Sequence, residues 1–321
     1  KYFYTIFMKG DIYTNMPLVA EKDLLSLASK KNFAVPGFFP LNMDFLKIII
    51  DVCEEERSPV ILTQGPEFIN SFGDKLFSKT CMLAAELARV PVALSVDHTF
   101  VTDDSTIELL KHDIDLGWGS VMIDASLLPY DDNVKLTSEV SKIAHEKGCT
   151  CIGSLGEVRR FFPQAMMYKG PFKEDFVTPK ELLTDPIQAK EFVEKTNIDV
   201  LGVSVGQYIR SLWDGEKPPL KKTCHLNIDL IKKIKEETNV HLLLMGSTHV
   251  CEDDLSLAAR SGIDFIKVAS EHALIWSDQV RKLLEKDKKI MFPEDIQKPA
   301  LNAVKESMRN YIRLFNANNQ I

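Results

Sequence analysis

Eight short apolar segments, each followed by a longer connection that is often helical in period, predict an α/β fold closed as a (β/α)8 TIM barrel. Continuous apolar runs of this kind are typical of parallel strands covered on both faces. A single barrel also suits a chain of 321 residues. No Gly-x-Gly-x-x-Gly follows any strand, so a dinucleotide-binding sheet lacks its signature. The predicted strands are 33–39, 59–65, 92–97, 120–126, 149–156, 200–206, 241–247 and 265–270.

Helical periodicity predicts the elements between these strands. Asn42 is a suitable N-cap for the helix after the first strand. A further helix precedes the first strand, and another ends the chain with Pro299 in its first turn. The predicted helices are 21–31, 42–56, 131–147, 185–196, 227–237, 251–261 and 299–316.

One barrel domain is predicted over residues 16–321, after an N-terminal extension over 1–15. The extension is aromatic and mixed in charge, and it lacks the apolar segment and cleavage site of a signal peptide.

Composition excludes several classes of partner. The net charge is −7 with no long basic run, which argues against nucleic acid and anionic membranes. No apolar segment approaches the roughly 20 residues that span a bilayer. The six cysteines have no Cys-x-x-Cys spacing and are expected to be reduced thiols of a cytoplasmic protein.

The strand at 92–97 ends in an acid and an imidazole, Asp97 and His98. Barrel active sites lie at the C-terminal ends of the strands, so we predict a mouth built around this pair. On the eighth strand, Lys267, Ala269 and Glu271 alternate and are expected to share one face. The other residues predicted at strand ends are Asp124, Ser126, Ser154, Gln207, Gly246, Ser247 and Thr248.

The longest connection, 157–184, follows the fifth predicted strand. Its composition suits a flap over the mouth or a subunit contact, and the pattern leaves both open. It carries Arg159, Arg160, Phe161, Phe162, Met166, Met167 and Tyr168.

Several segments together resemble one enzyme family. They are FAVPGFF (33–39), RSPVILTQGP (57–66), VPVALSVDHTF (90–100), GWGSVMIDASLLPYDDNVKLTSEVSKIAH (117–145) and TDPIQAKEFVEKTNIDVLGVSVG (184–206). In order and spacing they resemble the class II, zinc-dependent ketose-bisphosphate aldolases, which include fructose- and tagatose-bisphosphate aldolases. The resemblance runs from about residue 17 to 284 and implies the same barrel fold.

The resemblance implies that Asp97 is the general acid/base and that His98 is a zinc ligand. The zinc would act as a Lewis acid on a ketone carbonyl. The other three ligand positions fall on Ser154, Ile209 and Met245, which leaves no tetrahedral zinc set. We therefore expect no cofactor, an empty zinc site at His98, and an apolar lining from Ile209 and Met245. A site relocated to Glu157, His249 or His272 is the alternative.

The implied sugar-phosphate site is also altered. KVASEH (267–272) stands where the family has K-I-N-I-D-T, which keeps Lys267 and places Ala269 at the Asn. Lys267 is expected to form an ion pair, and the alternative is an imine-forming nucleophile. The resemblance implies substrate binding by Asp124, Ser126, Gln207, Gly246, Ser247, Thr248 and Glu271.

Two functions follow from the resemblance. One is a divergent aldehyde-lyase that cleaves or forms a phosphorylated ketose or related sugar, with zinc-dependent fructose-bisphosphate cleavage in doubt. The alternative is a catalytically inactive homologue that binds a sugar phosphate or supports a partner subunit. In either case the resemblance implies a homo-oligomer, a dimer or tetramer.

Overall fold

The computed structural model describes residues 18–103, 105–161, 176–210 and 222–321. Eight parallel strands close into a barrel in the order β1, β2, β3, β5, β6, β8, β10 and β11, and β11 pairs back to β1. The strands are β1 Val35–Phe38, β2 Val60–Gln64, β3 Val92–Val96, β4 Thr99–Phe100, β5 Ser120–Asp124, β6 Thr150–Leu155, β7 Arg160–Phe161, β8 Val200–Val203, β9 Ile209–Arg210, β10 His241–Leu244 and β11 Ile263–Val268. The predicted TIM barrel is confirmed.

Helices surround the barrel, and each barrel strand is buried along most or all of its length because helices cover the outside. The helices are α1 Glu21–Lys31, α2 Met43–Glu56, α3 Pro66–Ser71, α4 Asp74–Leu87, α5 Ser105–Leu116, α6 Tyr130–Glu146, α7 Pro186–Thr196, α8 Ile228–Thr238, α9 Glu252–Arg260, α10 Ser270–Lys286 and α11 Pro293–Leu314. Among the described residues, no helix is long and apolar enough to cross a membrane.

Local capping explains where α2 begins, and the last helix begins at a different residue from the predicted one. The side chain of Asn42 accepts a hydrogen bond of 2.9 Å from the backbone amide of Phe45, as an N-cap does. The last predicted helix begins earlier than expected, at Pro293, so Pro299 lies inside α11 rather than in its first turn.

Helix α1 closes the N-terminal end of the barrel. The backbone amide of Val19 donates to the carbonyl of Val92, and that of Lys22 donates to the hydroxyl of Thr150, at 3.0 and 3.4 Å. Val92 and Thr150 are the first residues of β3 and β6, so Glu21 lies at this closed end. Its carboxyl group is fully buried near the hydroxyls of Ser95 and Ser120. The open end of the barrel is therefore the C-terminal one.

The eighth barrel strand is displaced from its prediction. It covers Ile263–Val268, and α10 begins at Ser270. The alternation expected for residues 267, 269 and 271 therefore stops before Glu271, which lies in the first turn of a helix.

Two short strands continue beyond the barrel at its C-terminal end. Strand β7 follows β6, strand β9 follows β8, and they pair in parallel with Arg160 opposite Ile209. This small sheet brings the start of the connection after β6 to the edge of the barrel opening. Residues 162–175 of that connection, including Phe162, Met166, Met167 and Tyr168, lie outside the described residues.

Candidate active site at the barrel mouth

A cavity of about 150 Å3 lies at the C-terminal ends of the barrel strands, where catalytic groups of such barrels are found. We call it the mouth cavity. Its lining residues are Phe39, Asp97, His98, Arg160, Tyr208, Ile209, Met245, Gly246, Ser247, Thr248, His249, Lys267, Ala269 and Ser270.

An ion pair joins the two sides of the mouth cavity. Lys267 Nζ donates to Asp97 Oδ1 at 2.7 Å, and the two side chains are only 4% and 15% exposed. Asp97 follows β3 directly, and its backbone amide continues the barrel ladder by donating to the carbonyl of Gln64 at 2.9 Å. Burial raises the pKa of Asp97, but the charge of Lys267 and an electrostatic contribution from His98, together with hydrogen bonds from Lys267 and the backbone of His98, outweigh it and lower the pKa from 3.8 to about 2. The carboxylate is thus ionised at neutral pH.

The ammonium group of Lys267 has further partners inside the barrel. It lies 3.4 Å from Met122 Sδ and 5.3 Å from the centre of the Phe265 ring. A lysine held as an ammonium by a carboxylate cannot attack a carbonyl until it loses a proton. The contacts of Lys267 therefore favour the ion pair over the imine-forming alternative.

His98 is held from both sides of its ring. Its Nδ1 lies 2.9 Å from Asp124 Oδ2, and its Nε2 lies 3.2 Å from an Nη of Arg160. A guanidinium group only donates, so Nε2 accepts and Nδ1 carries the proton that is donated to Asp124. Burial and then the charge of Arg160 lower the pKa of His98, which keeps the ring neutral.

Asp124 lies behind His98 rather than in the lining of the mouth cavity. Its Oδ1 accepts hydrogen bonds from the hydroxyl and the backbone amide of Ser126, at 2.6 and 3.2 Å. Burial raises its pKa, but these bonds and the one from His98 lower it by more. Asp124 thus holds His98 and is itself held by Ser126, whereas direct contact of these two residues with substrate, which the resemblance implies, stays a prediction.

The three replaced ligand positions offer no metal donors of the expected kind. Ile209 and Met245 line the mouth cavity with apolar surface, in the places where the resemblance has histidines. Ser154 is buried, and its hydroxyl has no hydrogen-bond partner among the described residues. Within the described ranges, no group of three or more His, Cys, Asp or Glu could hold a metal ion. The donor set therefore does not fit a tetrahedral zinc ion.

Each of the three residues considered for a relocated site has a different set of neighbours among the described residues. His249 lines the mouth cavity and stacks on Tyr208, with ring centres 6.1 Å apart. His272 is buried against Phe38 and Tyr311, and Glu157 pairs with a neighbouring arginine.

The segment after β10 lines one side of the mouth cavity. Gly246 has a φ of +77°, and a Cβ there would lie 2.8 Å from Ile209 Cγ1, so only glycine fits without a shift. The hydroxyl of Ser247 donates to the carbonyl of Lys267 at 2.6 Å, which ties this segment to β11. Gly246, Ser247 and Thr248 reach the cavity as the sequence predicted.

Two other predicted substrate contacts lie elsewhere. Gln207 is fully buried and satisfies backbone groups of its own turn, donating to the carbonyl of Val203 and accepting from the amide of Val205. Glu271 accepts from the hydroxyl of Tyr311 and lies 3.6 Å from Lys222, outside the mouth cavity. Both differences arise because these residues follow the ends of their strands, where the alternation no longer applies.

Arg160 lines the mouth cavity, although the sequence predicts no role for it beyond its place in the long connection. The β7–β9 pairing brings Arg160 into the site. This pairing joins residues far apart in the chain, so no local sequence pattern indicates it.

Comparison with known proteins identifies the family of this chain. The family model described as fructose-bisphosphate aldolase class-II matches residues 19–320. This chain belongs to the class II fructose-bisphosphate aldolase family. A fructose-bisphosphate aldolase of Staphylococcus epidermidis is 30% identical over 308 residues, which cover 95% of this chain and 99% of that protein. One of Geobacillus stearothermophilus is 30% identical over 303 residues, covering 94% and 97%.

Solved structures give the same family relationship. The crystal structure of the YdjI aldolase from Escherichia coli K12 superimposes with a TM-score of 0.74 and 25% identity. The superposition covers 94% of this chain and 98% of that one. The comparisons establish the family, whereas the assignment of Asp97, His98 and Lys267 to retained positions, and of Ser154, Ile209 and Met245 to replaced ones, stays a prediction of the resemblance.

Proposed function

We propose that this family member catalyses an aldehyde-lyase reaction, the cleavage or condensation of a phosphorylated ketose or related sugar, without a zinc site. The observation that carries the proposal is the buried Asp97–Lys267 ion pair in the wall of the mouth cavity. Membership of an aldolase family supports the reaction class. The substrate class is supported by relatives that are fructose-bisphosphate aldolases.

In the cleavage direction, the Asp97 carboxylate takes the proton of the hydroxyl group on the carbon β to the ketone. The bond between the α and β carbons breaks, and its electron pair forms the double bond of an enediolate while the aldehyde leaves. The former carbonyl oxygen takes the negative charge. Asp97 then returns its proton to the α carbon, which restores the ketone and balances the reaction.

Exchange of the α hydrogen of dihydroxyacetone phosphate in D2O, followed by NMR, tests this step without knowledge of the aldehyde. We expect exchange above the uncatalysed rate, unchanged by a chelator. Asp97→Asn should slow it about 100-fold or more, since a positioned base contributes that much. Asp115→Asn is the control, because Asp115 forms an exposed ion pair with Lys147 at 3.0 Å. Exchange that a chelator abolishes would contradict the proposal.

The second candidate is a catalytically inactive homologue that binds a sugar phosphate. The low pKa of Asp97 favours it, because a carboxyl group with a pKa of about 2 is a weak proton acceptor. Saturable binding of dihydroxyacetone phosphate by calorimetry, without exchange in the same sample, would identify this function instead.

Fructose bisphosphate is expected to be a poor substrate. The resemblance has Asn where Ala269 lines the mouth cavity, and the metal ligands are replaced. In a coupled assay we expect a turnover well below the ordinary range of about 1–1,000 per second. A chelator-sensitive rate within that range would contradict the proposal.

An imine at Lys267 is the remaining mechanistic alternative. Lys267 is engaged in a buried ion pair with Asp97, so borohydride added with dihydroxyacetone phosphate should leave no adduct. An increase in mass at Lys267, absent from Lys267→Met, would identify imine chemistry.

A further inference from the structure

Arg160 places a positive charge at Nε2 of His98, and both residues line the mouth cavity. One Nη of its guanidinium lies 3.2 Å from His98 Nε2, and the residue lines the cavity. The guanidinium also lies over the Phe100 ring, 4.6 Å from its centre. His98 stacks on the same ring at 5.3 Å, so Phe100 supports both groups.

Arg160 is a cation in a partly buried position, and the net effect of its surroundings is to lower the pKa of the guanidinium. Burial disfavours its charge, while the negative charges of Asp124 and Asp97 act in the opposite direction. An arginine stays charged under these conditions. Its backbone is fixed by the parallel pairing with Ile209, the residue at one of the replaced histidine positions.

The Asp124–His98 pair has the arrangement found behind a metal ion. A metal-binding histidine typically donates one ring N–H to a carboxylate and offers its other nitrogen to the metal. Here the same ring donates to Asp124 and offers Nε2 to a guanidinium. The positive charge beside Nε2 therefore comes from a side chain of this protein, Arg160, in the place where a metal ion would be bound.

The guanidinium has donors beyond the one that faces His98. Arginine carries five N–H donors in a planar fork. The Nε of Arg160 is buried and has no hydrogen-bond partner among the described residues. A ligand oxygen in the mouth cavity would satisfy donors of this kind.

We propose that Arg160 is the electrophile of this site. Its guanidinium takes the place of a divalent cation at His98 Nε2, and it binds the former carbonyl oxygen of the substrate, which becomes negative when the bond between the α and β carbons breaks. The catalytic part of this inference rests on the proposed function. The anion-binding part stands on the contacts of Arg160 alone.

Binding of 2-phosphoglycolate, a stable analogue of a phosphorylated enediolate, tests the anion-binding part by calorimetry. Arg160→Gln should weaken binding at least about tenfold, since it removes a charged hydrogen-bond donor. The affinity of Arg160→Lys should lie between that of wild type and that of Arg160→Gln, because lysine keeps the charge and loses the planar fork. Arg159→Gln is the matched control: Arg159 adjoins it, pairs with Glu157 at 3.4 Å and is absent from the cavity lining.

Chemical rescue guards against a variant that binds poorly because it is misfolded. Arg160→Ala should keep the far-ultraviolet circular dichroism of the wild type, and millimolar guanidinium should restore part of its affinity for 2-phosphoglycolate. The same concentration of ammonium should restore less, because it lacks the planar shape of the lost group.

Exchange of dihydroxyacetone phosphate in D2O tests the catalytic part. Arg160→Gln should lower kcat about 100–1,000-fold, the loss seen when an oxyanion donor is removed, with a smaller change in KM. If wild type shows no exchange but 2-phosphoglycolate binds through Arg160, the proposed function fails and the cation site stands. If exchange and binding both survive in Arg160→Gln, or if wild type does not bind 2-phosphoglycolate, the inference is wrong.

Discussion

Asp97 and Glu21 are two buried carboxyl groups at opposite ends of the same barrel, and their pKa values move in opposite directions. Asp97, at the open end, has Lys267 at 2.7 Å, and its pKa falls to about 2. Glu21, at the closed end, has no cation within ion-pair distance in the part of the chain described, and burial raises its pKa to about 7. Burial is common to both, so the adjacent cation decides whether the carboxyl group is ionised.

The two carboxyl groups differ in the cations placed beside them. At the mouth, Lys267 and Arg160 are positioned against Asp97 and His98. At the closed end, which we call the floor, hydrogen bonding to Ser95 and Ser120 and the more distant charge of Lys267 lower the pKa of Glu21 by less than burial raises it. Of these two carboxyl groups, Asp97 is the one with a positive group in contact.

Removal of the cation at the mouth should have the largest effect. Lys267→Met leaves Asp97 buried without its partner, which costs about 3–5 kcal/mol when a buried pair is broken. Urea denaturation at neutral pH measures this loss. Lys147→Met is the control, since its pair with Asp115 is more than half exposed and should change stability by at most about 1 kcal/mol. Equal losses in the two variants would show that the buried pair has no special role.

The unpaired carboxyl group at the floor should make stability fall as pH rises. The folded state holds a proton on Glu21 up to a pKa of about 7, whereas its ordinary value is 4.5. Its contribution is thus fully present below about 4.5 and is lost as pH rises through 7. Glu21→Gln should remove up to about 3 kcal/mol of this decline between pH 5 and 8, as measured by denaturation at each pH.

Asp113 in α5 is a second buried carboxyl group, and burial raises its pKa to about 7 as well. It has no hydrogen-bond partner among the described residues. Asp113→Asn should therefore reduce the decline as well, and the double variant should reduce it further. A decline of unchanged size in both single variants would contradict the assigned pKa values.

A smaller effect is expected at Asp124, because an asparagine there can still accept the hydrogen bond from His98. Asp124→Asn keeps a hydrogen-bond acceptor for His98 Nδ1 but removes the negative charge. We expect the exchange rate to fall about tenfold, the lower end of the range for groups that orient a histidine. Exchange in D2O, with the melting temperature as a folding control, measures it. A loss as large as that of Asp97→Asn would mean that Asp124 itself takes part in the proton transfer.

Sequence patterns predicted the barrel strands, the Asp97–His98 pair and Lys267 at the mouth, because each depends on short-range alternation and on strand ends. They did not predict the contacts of Arg160, Glu21 or Glu271. Arg160 enters through pairing between two distant connections, and Glu21 looks like an ordinary first-turn acid of α1 until the barrel closes over it. Glu271 lies in α10 because the strand ends at Val268, a boundary that local propensity does not fix.

The central claim is that side chains of this protein, rather than a bound metal, supply the positive charge at the mouth. Elemental analysis of the purified protein beside the His98→Ala variant tests it most directly. The positions of Ser154, Ile209 and Met245, and the guanidinium at His98 Nε2, predict zinc at background level in both proteins. A content of about one zinc per chain in wild type, lost in His98→Ala, would contradict the claim.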